Sequence, residues 1–153
     1  MQSLNLPSYL PKVIQKNGKK FIFDPIRLKN VALTPEEWVR QHFVNYLVTE
    51  KQYPSNLIAN EVAISLNNLS KRCDTVIYNC FLVPLAIIEY KSPNVSITQE
   101  VFEQIARYNI TLRVRYLIIS NGLNHYCCKI DYDKQTYYYL DEVPAYHILQ
   151  EVD

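Results

Sequence analysis

The chain is notable first for what it has little of. Its 153 residues include only two glycines, and its net charge is +1. With so little net charge there is no strong overall field to attract nucleic acid, so a nucleic-acid-binding function would need a local basic patch. The sequence has no GxxxxGK[ST] motif, which excludes an ATP-driven motor of the P-loop kind within it.

Membrane and secretion signals are also missing. No apolar run approaches the ~20 residues of a membrane-spanning helix. The first residues lack a charged segment followed by the apolar core of a signal peptide. We therefore expect a cytoplasmic protein that makes no membrane contact.

Cysteine and histidine are present without metal-ligand spacing. The four cysteines contain no CxxC pair, and two of them are adjacent, which places them on opposite sides of a strand. We interpret them as reduced thiols, mostly buried. The residues concerned are Cys73, Cys80, Cys127, Cys128, His42, His125 and His147.

Composition and local patterns predict one α/β domain over residues 1–153. The chain is 48% hydrophobic, which suffices for a core, and its thirteen tyrosines suit a sheet-rich fold. The predicted elements are a hairpin over 12–22, a helix from 34 to about 52, strands over 61–66, 73–79 and 82–90, a helix from 96 to about 111, and strands over 115–120, 125–131 and 136–140.

Capping patterns set the predicted starts of the two helices. Thr34 is followed by Pro35 and by Glu37, which would complete a capping box. Ser96 and Gln99 have the same spacing at the second helix. We divide the domain into an N-terminal hairpin and lead-in (1–32), a core (33–122) and a C-terminal β extension with a tail (123–153).

Three charged residues near predicted strand ends carry most of the functional information. Asp74 lies in one strand, while Glu89 and Lys91 are two positions apart in the next and so point to the same face. Two carboxylates and an ammonium converging at one sheet end are unfavourable for folding alone. They suit a bound Mg²⁺ and a phosphodiester. The alternative is ordinary salt bridging of Asp74 by the preceding basic residues and of Glu89 by Lys91.

The order D…ExK resembles the PD-(D/E)xK nuclease signature, and further motifs narrow the resemblance. They are LTPEEWVRQ over 33–41, a QxxxY pattern formed by Gln104 and Tyr108, and YLIISNG over 116–122. Together they resemble the N-terminal nuclease domain of type I restriction enzyme R subunits, in a short stand-alone form. The similar stretch runs over about 23–122.

The resemblance implies a fold and an activity. The fold is a restriction-endonuclease-like core, with helices flanking a mixed sheet. The activity is that of a Mg²⁺-dependent DNA endonuclease, in which Mn²⁺ could substitute for Mg²⁺. Asp74, Glu89 and the carbonyl of Tyr90 would bind the metal. Lys91 would orient the attacking water or hold the scissile phosphate, and Gln104 would orient Lys91 or touch the DNA backbone.

Other residues are candidates for accessory roles. Glu37 is a candidate metal ligand from the first helix, with Glu61 as its rival. Arg72 and Arg107 are candidates for phosphate contacts, and Tyr108 for a hydrogen bond to a phosphate. The remaining basic candidates for phosphate contacts are Arg27, Arg40, Lys71, Arg113 and Arg115.

A different class of function stays open. A catalytically weak or silent DNA-binding or assembly module could keep the same fold, and so could a repair or RNA nuclease. The missing motor motif departs from a full R subunit. It makes restriction-modification subunits or a separate motor the expected partners, beside DNA.

Overall fold

The computed structural model describes residues 1–151, apart from the side chain of Leu66. Strands and helices follow in a mixed order, with one short 3-10 turn at Ser55–Leu57. The elements are β1 (Val13–Lys16), β2 (Lys19–Asp24), β3 (Lys29–Ala32), α1 (Pro35–Glu50), β4 (Ile58–Leu66), β5 (Leu69–Tyr78), β6 (Pro84–Tyr90), α2 (Gln99–Ile110), β7 (Tyr116–Ser120), β8 (His125–Asp131), β9 (Thr136–Leu140) and α3 (Tyr146–Leu149).

A six-stranded sheet in the order β4-β5-β6-β7-β8-β9 forms the centre of the molecule. Only β6 and β7 pair in parallel, and α2 makes the crossover between them. The other pairs are antiparallel. This arrangement confirms the predicted mixed sheet and α/β class.

The two long helices cover opposite faces of this sheet. Ile88 and Ile118 belong to the core cluster that contains α1 residues, whereas Ile87 and Leu117 belong to the cluster that contains α2 residues. Because neighbouring residues of a strand point to opposite faces, the alternation assigns one helix to each face. The predicted flanking of the sheet by helices is therefore confirmed.

The N-terminal unit differs from the predicted hairpin. After Pro25 the chain adds a third strand, β3, to the hairpin of β1 and β2. The result is a three-stranded antiparallel sheet. The turn is closed by the Asp24 carboxylate, which accepts hydrogen bonds from the backbone N–H groups of Ile26 and Arg27. Leu28 then takes a left-handed conformation with φ 55°, which the sequence did not signal.

Four predicted element starts are also wrong by two or more residues. Strands β4 and β5 begin at Ile58 and Leu69, three and four residues before the predicted positions 61 and 73. The other two elements begin later than predicted. Strand β6 begins at Pro84 rather than Leu82, because the Asn79 side chain accepts hydrogen bonds from the backbone of the exposed turn before it. Helix α2 is capped by Thr98, whose hydroxyl accepts from the Val101 N–H, and not by Ser96.

The first helix confirms its predicted cap but only half of its capping box. Thr34 Oγ1 accepts from the Glu37 N–H at 3.0 Å, as predicted. The Glu37 carboxylate bonds instead to Arg27, Arg40 and Gln41. None of the helices within residues 1–151 has the length and apolar character needed to cross a membrane.

Candidate functional site

The site lies where β5 and β6 run side by side at one end of the sheet. Thr75 pairs with Ile88, so the next positions on these antiparallel strands, Asp74 and Glu89, are opposite each other. The Tyr90 N–H then donates to Asp74 Oδ2 at 2.9 Å rather than to a strand carbonyl. The ladder of hydrogen bonds between β5 and β6 therefore ends at the Asp74 side chain. This last hydrogen bond fixes one oxygen of the Asp74 carboxylate.

The two carboxyl groups form a hydrogen-bonded pair. Burial of Glu89, together with the neighbouring charge and hydrogen bond of Asp74, raises the pKa of Glu89 to about 9. A proton on Glu89 lowers the cost of holding two adjacent, half-buried carboxyl groups together, because both are costly to charge at once. A hard divalent cation could neutralise the same oxygens in place of that proton, so this donor set fits Mg²⁺.

The carboxylate set is small. Among residues 1–151, no group of three or more His, Cys, Asp or Glu side chains is arranged to hold a metal ion. Mg²⁺ usually keeps several waters and takes one or two protein carboxylates, so a pair is compatible with it.

Lys91 follows β6 directly and is held by its backbone, whose N–H donates to the Ser120 carbonyl at 2.9 Å. None of the ion pairs formed within residues 1–151 includes Asp74, Glu89 or Lys91. Within residues 1–151, the structure therefore shows neither the salt bridge of Asp74 with a preceding basic residue nor that of Glu89 with Lys91, which the alternative explanation required.

These residues line one cleft with the predicted helix residues. The cleft has a volume of about 790 Å³. It is lined by Asp74, Glu89, Tyr90, Lys91, Arg72, Gln104, Arg107, Tyr108 and Asn109, with three apolar residues. The sequence-predicted candidates outside this set are Glu37, Glu61, Arg27, Arg40, Lys71, Arg113 and Arg115.

Helix α2 forms one wall of the cleft. Gln104, Arg107 and Tyr108 are exposed there, and Tyr108 is 64% exposed. Asn109 was not singled out from the sequence. Its side chain is buried, its Nδ2 donates to the Ile105 carbonyl at 2.9 Å, and its Oδ1 has no hydrogen-bond partner within residues 1–151.

Tyr90 reaches the cleft with its backbone. Its ring lies on the α1 side of the sheet, in an edge contact with Phe43, and its hydroxyl donates to Thr75 Oγ1 at 3.0 Å. Burial raises the pKa of the Tyr90 hydroxyl, which keeps it neutral. The backbone of Tyr90 is therefore the part of this residue that is next to Asp74 and Glu89.

Behind the carboxylate pair, on the α1 side, lies a group of buried and half-buried charges that we call the α1 network. Arg40 is its centre: Nη1 donates to the Asp74 carbonyl at 2.8 Å, Nη2 binds Glu61 at 2.6 Å, and Nε lies 3.1 Å from Glu37. Glu37 also binds Arg27 at 2.7 Å, and Arg27 binds Asp24.

A neutral branch joins the α1 network to Tyr90. Asn60 donates to Asp24 at 3.0 Å and accepts from Thr75 at 2.7 Å, and Thr75 accepts from Tyr90. The network therefore holds the backbone of Asp74 and the side chain of Tyr90. Sequence reasoning treated Arg40 as a candidate phosphate contact, whereas it is buried; its spacing of three from Glu37 on α1 was the available signal.

The structure gives the two candidate accessory acids other partners. Glu37 does not line the cleft and is bound by Arg27, Arg40 and Gln41. Glu61 is bound by Arg40 and by Arg72, the latter at 3.1 Å. A metal-binding role for Glu37 stays a prediction that these contacts do not favour.

Lys71 is the least expected residue of the region. It is only 7% exposed, and its Nζ has no hydrogen-bond partner among the described residues. Its ammonium lies against the face of the Tyr108 ring. Burial lowers the pKa of Lys71 to about 8, while the charge of Glu89 opposes this shift.

The sequence of this chain is similar to one known protein family. Residues 35–144 match the family model of the type I restriction enzyme R protein N terminus. The chain belongs to this family. The family domain thus covers both long helices, the carboxylate pair and strands β4 to β9. No curated protein sequence matches the chain.

A solved structure supports the fold of this R protein N-terminal domain. It is described as a fragment of an HsdR subunit of a type I restriction enzyme from Vibrio vulnificus YJ016. The two share 19% sequence identity with a TM-score of 0.51, and the alignment covers 74% of this chain. The chain spans 24% of the length of that HsdR fragment.

Proposed function

We propose that this chain is a Mg²⁺-dependent DNA endonuclease domain that hydrolyses phosphodiester bonds within a type I restriction system. The observation that carries the proposal is the half-buried pair of Asp74 and Glu89, whose carboxyl groups interact, beside Lys91 in one cleft. Membership of the R protein N-terminal family supports a nuclease-like role. The basic groups of the cleft supply the local positive patch that a chain of net charge +1 needs.

Each residue has a distinct part in the proposed reaction. Asp74 and Glu89, with the Tyr90 carbonyl, would hold Mg²⁺, and Mn²⁺ could substitute. When bound, the ion would neutralise charge on the phosphate and make hydroxide formation from water easier. Lys91 would hold the scissile phosphate or orient the attacking water.

The α2 wall would position the substrate. Gln104 would orient Lys91 or contact the DNA backbone. Arg72, Arg107 and Tyr108, which line the cleft, would contact phosphates along it. These side chains are exposed, so a ligand in the cleft could reach them.

Partners and location belong to the same proposal. The chain has no P-loop motif, so any ATP-driven translocation would depend on a separate motor or on restriction-modification subunits. We place the protein in the cytoplasm, where the four cysteines, all free in the structure, would stay reduced.

Metal binding is the first test. Calorimetric titration with Mn²⁺ should show weak binding of one or two ions to the wild type and a loss of that binding in Asp74→Ala. Asp133→Ala, an exposed turn residue, is the matched control. Equal Mn²⁺ binding by the wild type and Asp74→Ala would remove Asp74 from the site.

Cleavage is the second test, on supercoiled and linear DNA with Mg²⁺ or Mn²⁺. Lys91→Ala should abolish cleavage yet keep DNA affinity within a few-fold, because one phosphate contact is a small part of binding. The exposed Lys134→Ala should behave as the wild type.

The same assays separate the competing functions. If the wild type cleaves no DNA, alone or with restriction-modification subunits, the silent DNA-binding or assembly module becomes the better description. Preferential cleavage of RNA would favour an RNA nuclease instead.

A further inference from the structure

A buried, unpaired ammonium beside a residue that lines the cleft requires an explanation. Lys71 is 7% exposed, and its Nζ has no hydrogen-bond partner within residues 1–151. An unsatisfied buried polar group is unfavourable, and more so when it is charged. Such groups are rare in native proteins, and a catalytic role or a bound water or ion is among the explanations for them.

The surroundings of Lys71 indicate which ligand would bind. Its ammonium lies against the ring of Tyr108, which lines the cleft, and it is close enough to Glu89 for the two charges to interact. Arg72 follows Lys71 on β5 and lines the same cleft. The Lys71 ammonium therefore lies between the carboxylate pair and the exposed α2 wall.

The contact with Tyr108 substitutes only partly for an anion. An aromatic face attracts a cation but offers no hydrogen-bond acceptor in the plane of the ring, so all three N–H donors of the ammonium remain unused. A phosphate oxygen would accept these hydrogen bonds. Tyr108 is 64% exposed, so few neighbours would oppose its displacement by such an oxygen.

We propose that Lys71 is a phosphate-binding residue of the cleft, with Tyr108 as the surface that holds its ammonium until a nucleic-acid strand enters. Lys71 then contacts a phosphodiester next to the one at Asp74 and Glu89. The proposal rests on the proposed function, since it takes nucleic acid as the ligand of the cleft. It gives the tyrosine of the QxxxY pattern a second role, in positioning Lys71.

The test measures DNA affinity rather than cleavage. Fluorescence anisotropy with a labelled DNA duplex is recorded in Ca²⁺ over a series of NaCl concentrations. Lys71→Met keeps the side-chain length without the charge, Lys71→Arg keeps the charge, and Lys134→Met is the matched exposed control. Lys71→Met should lower affinity about tenfold, the loss of one charged hydrogen bond.

Salt dependence and stability give independent readouts. Lys71→Met should reduce the slope of log affinity against log salt by about 0.9, the value for one phosphate contact. Lys71→Arg should retain most of the affinity. The melting temperature of Lys71→Met should equal or exceed that of the wild type, because the variant removes an unpaired buried charge.

Several outcomes would overturn the proposal. Unchanged affinity and salt slope, with tighter Mn²⁺ binding, would make Lys71 only a counter-charge of Asp74 and Glu89. A lower melting temperature with normal DNA affinity would make it a structural residue. Failure of the wild type to bind DNA would also refute the proposal. DNA binding that depends on Lys71 without any cleavage would refute the nuclease function alone.

Discussion

Near the ends of β5 and β6, the two faces of the sheet differ in how their charged side chains are paired. On the α1 side, Arg27, Glu37, Arg40 and Glu61 are joined in ion pairs of alternating sign. On the α2 side, Lys71 and Lys91 take part in no ion pair within the described residues, and the carboxyl groups of Asp74 and Glu89 share a hydrogen bond. Both sets are close to the same two strands.

The difference separates charges that hold the fold from charges available to a ligand. A buried charge with good partners is costly to disturb, because its removal leaves those partners uncompensated. A charge without partners is already unfavourable, so neutralising it can stabilise the protein. The α1 network thus maintains the geometry, and the cleft retains the unfavourable groups that would bind metal and phosphate.

The largest expected effect is in the α1 network. Arg40→Met should lower the free energy of unfolding by about 3–5 kcal/mol, since it leaves Glu37 and Glu61 without their shared partner. Arg72→Met removes another partner of Glu61, but the Arg72 side chain is 68% exposed, so we expect a loss below about 1 kcal/mol. Urea denaturation of both variants gives the comparison.

Equal losses in the two variants would contradict the proposed distinction between buried and exposed partners of Glu61. A conservative Arg40→Lys should recover only part of the stability, because an ammonium cannot reach Glu37, Glu61 and the Asp74 carbonyl together as a guanidinium does.

A smaller effect of opposite sign is expected in the cleft. The pKa of Glu89 is about 9 in the folded protein against an ordinary 4.5, so between these values the folded state binds more protons than the unfolded state. Stability therefore falls as pH rises through this window. Glu89→Gln should remove this dependence and raise stability at pH 8 by at least about 1 kcal/mol, the equivalent of one pKa unit.

The measurement is urea denaturation at pH 5 and pH 8 in EDTA, which keeps divalent ions away. Comparing Glu89→Gln with the wild type cancels the contributions of His42 and His125, whose lowered pKa values act in the other direction. Glu103→Gln, on the exposed face of α2, is the control and should leave the pH dependence unchanged. A Glu89→Gln variant that loses stability at pH 8 would show that the carboxylate is well satisfied.

The smallest effect concerns two neighbours on α2. Gln104→Ala should change stability by no more than about 0.5 kcal/mol, because its side chain is exposed in the cleft, yet it should reduce DNA cleavage. Asn109→Ala should cost about 1 kcal/mol, since it removes the buried hydrogen bond to Ile105. Thermal melts and cleavage assays on both variants test this; a large drop in melting temperature with normal cleavage would make Gln104 structural.

Local patterns were enough to predict the elements of the sheet and the grouping of several candidate residues in one cleft. Period-two spacing predicted a common face for Glu89 and Lys91, and period-3.6 spacing did so for Gln104 and Tyr108. All four line the cleft. The fold class followed from the alternation of strands and helices together with the family motifs.

Long-range partners could not be predicted in the same way. Arg40 and Lys71 look like surface residues in sequence, and only the packing of α1 and α2 on opposite faces buries them. Strand β3 was missed because its turn depends on the Asp24 carboxylate and a left-handed Leu28, a local choice with no glycine to signal it. Charge burial is a property of the assembled sheet rather than of a segment.

The position of the only tryptophan has a practical consequence for spectroscopy. Trp38 lies on α1 between Glu37 and Arg40; its indole N–H donates to the Gln2 carbonyl, and its ring centroid is 4.3 Å from that of His42. Its emission therefore reports on the face of the sheet opposite the cleft. A fluorescence change on adding metal or DNA would reveal a movement transmitted through the sheet, whereas a silent tryptophan would indicate that the cleft fills without disturbing its support.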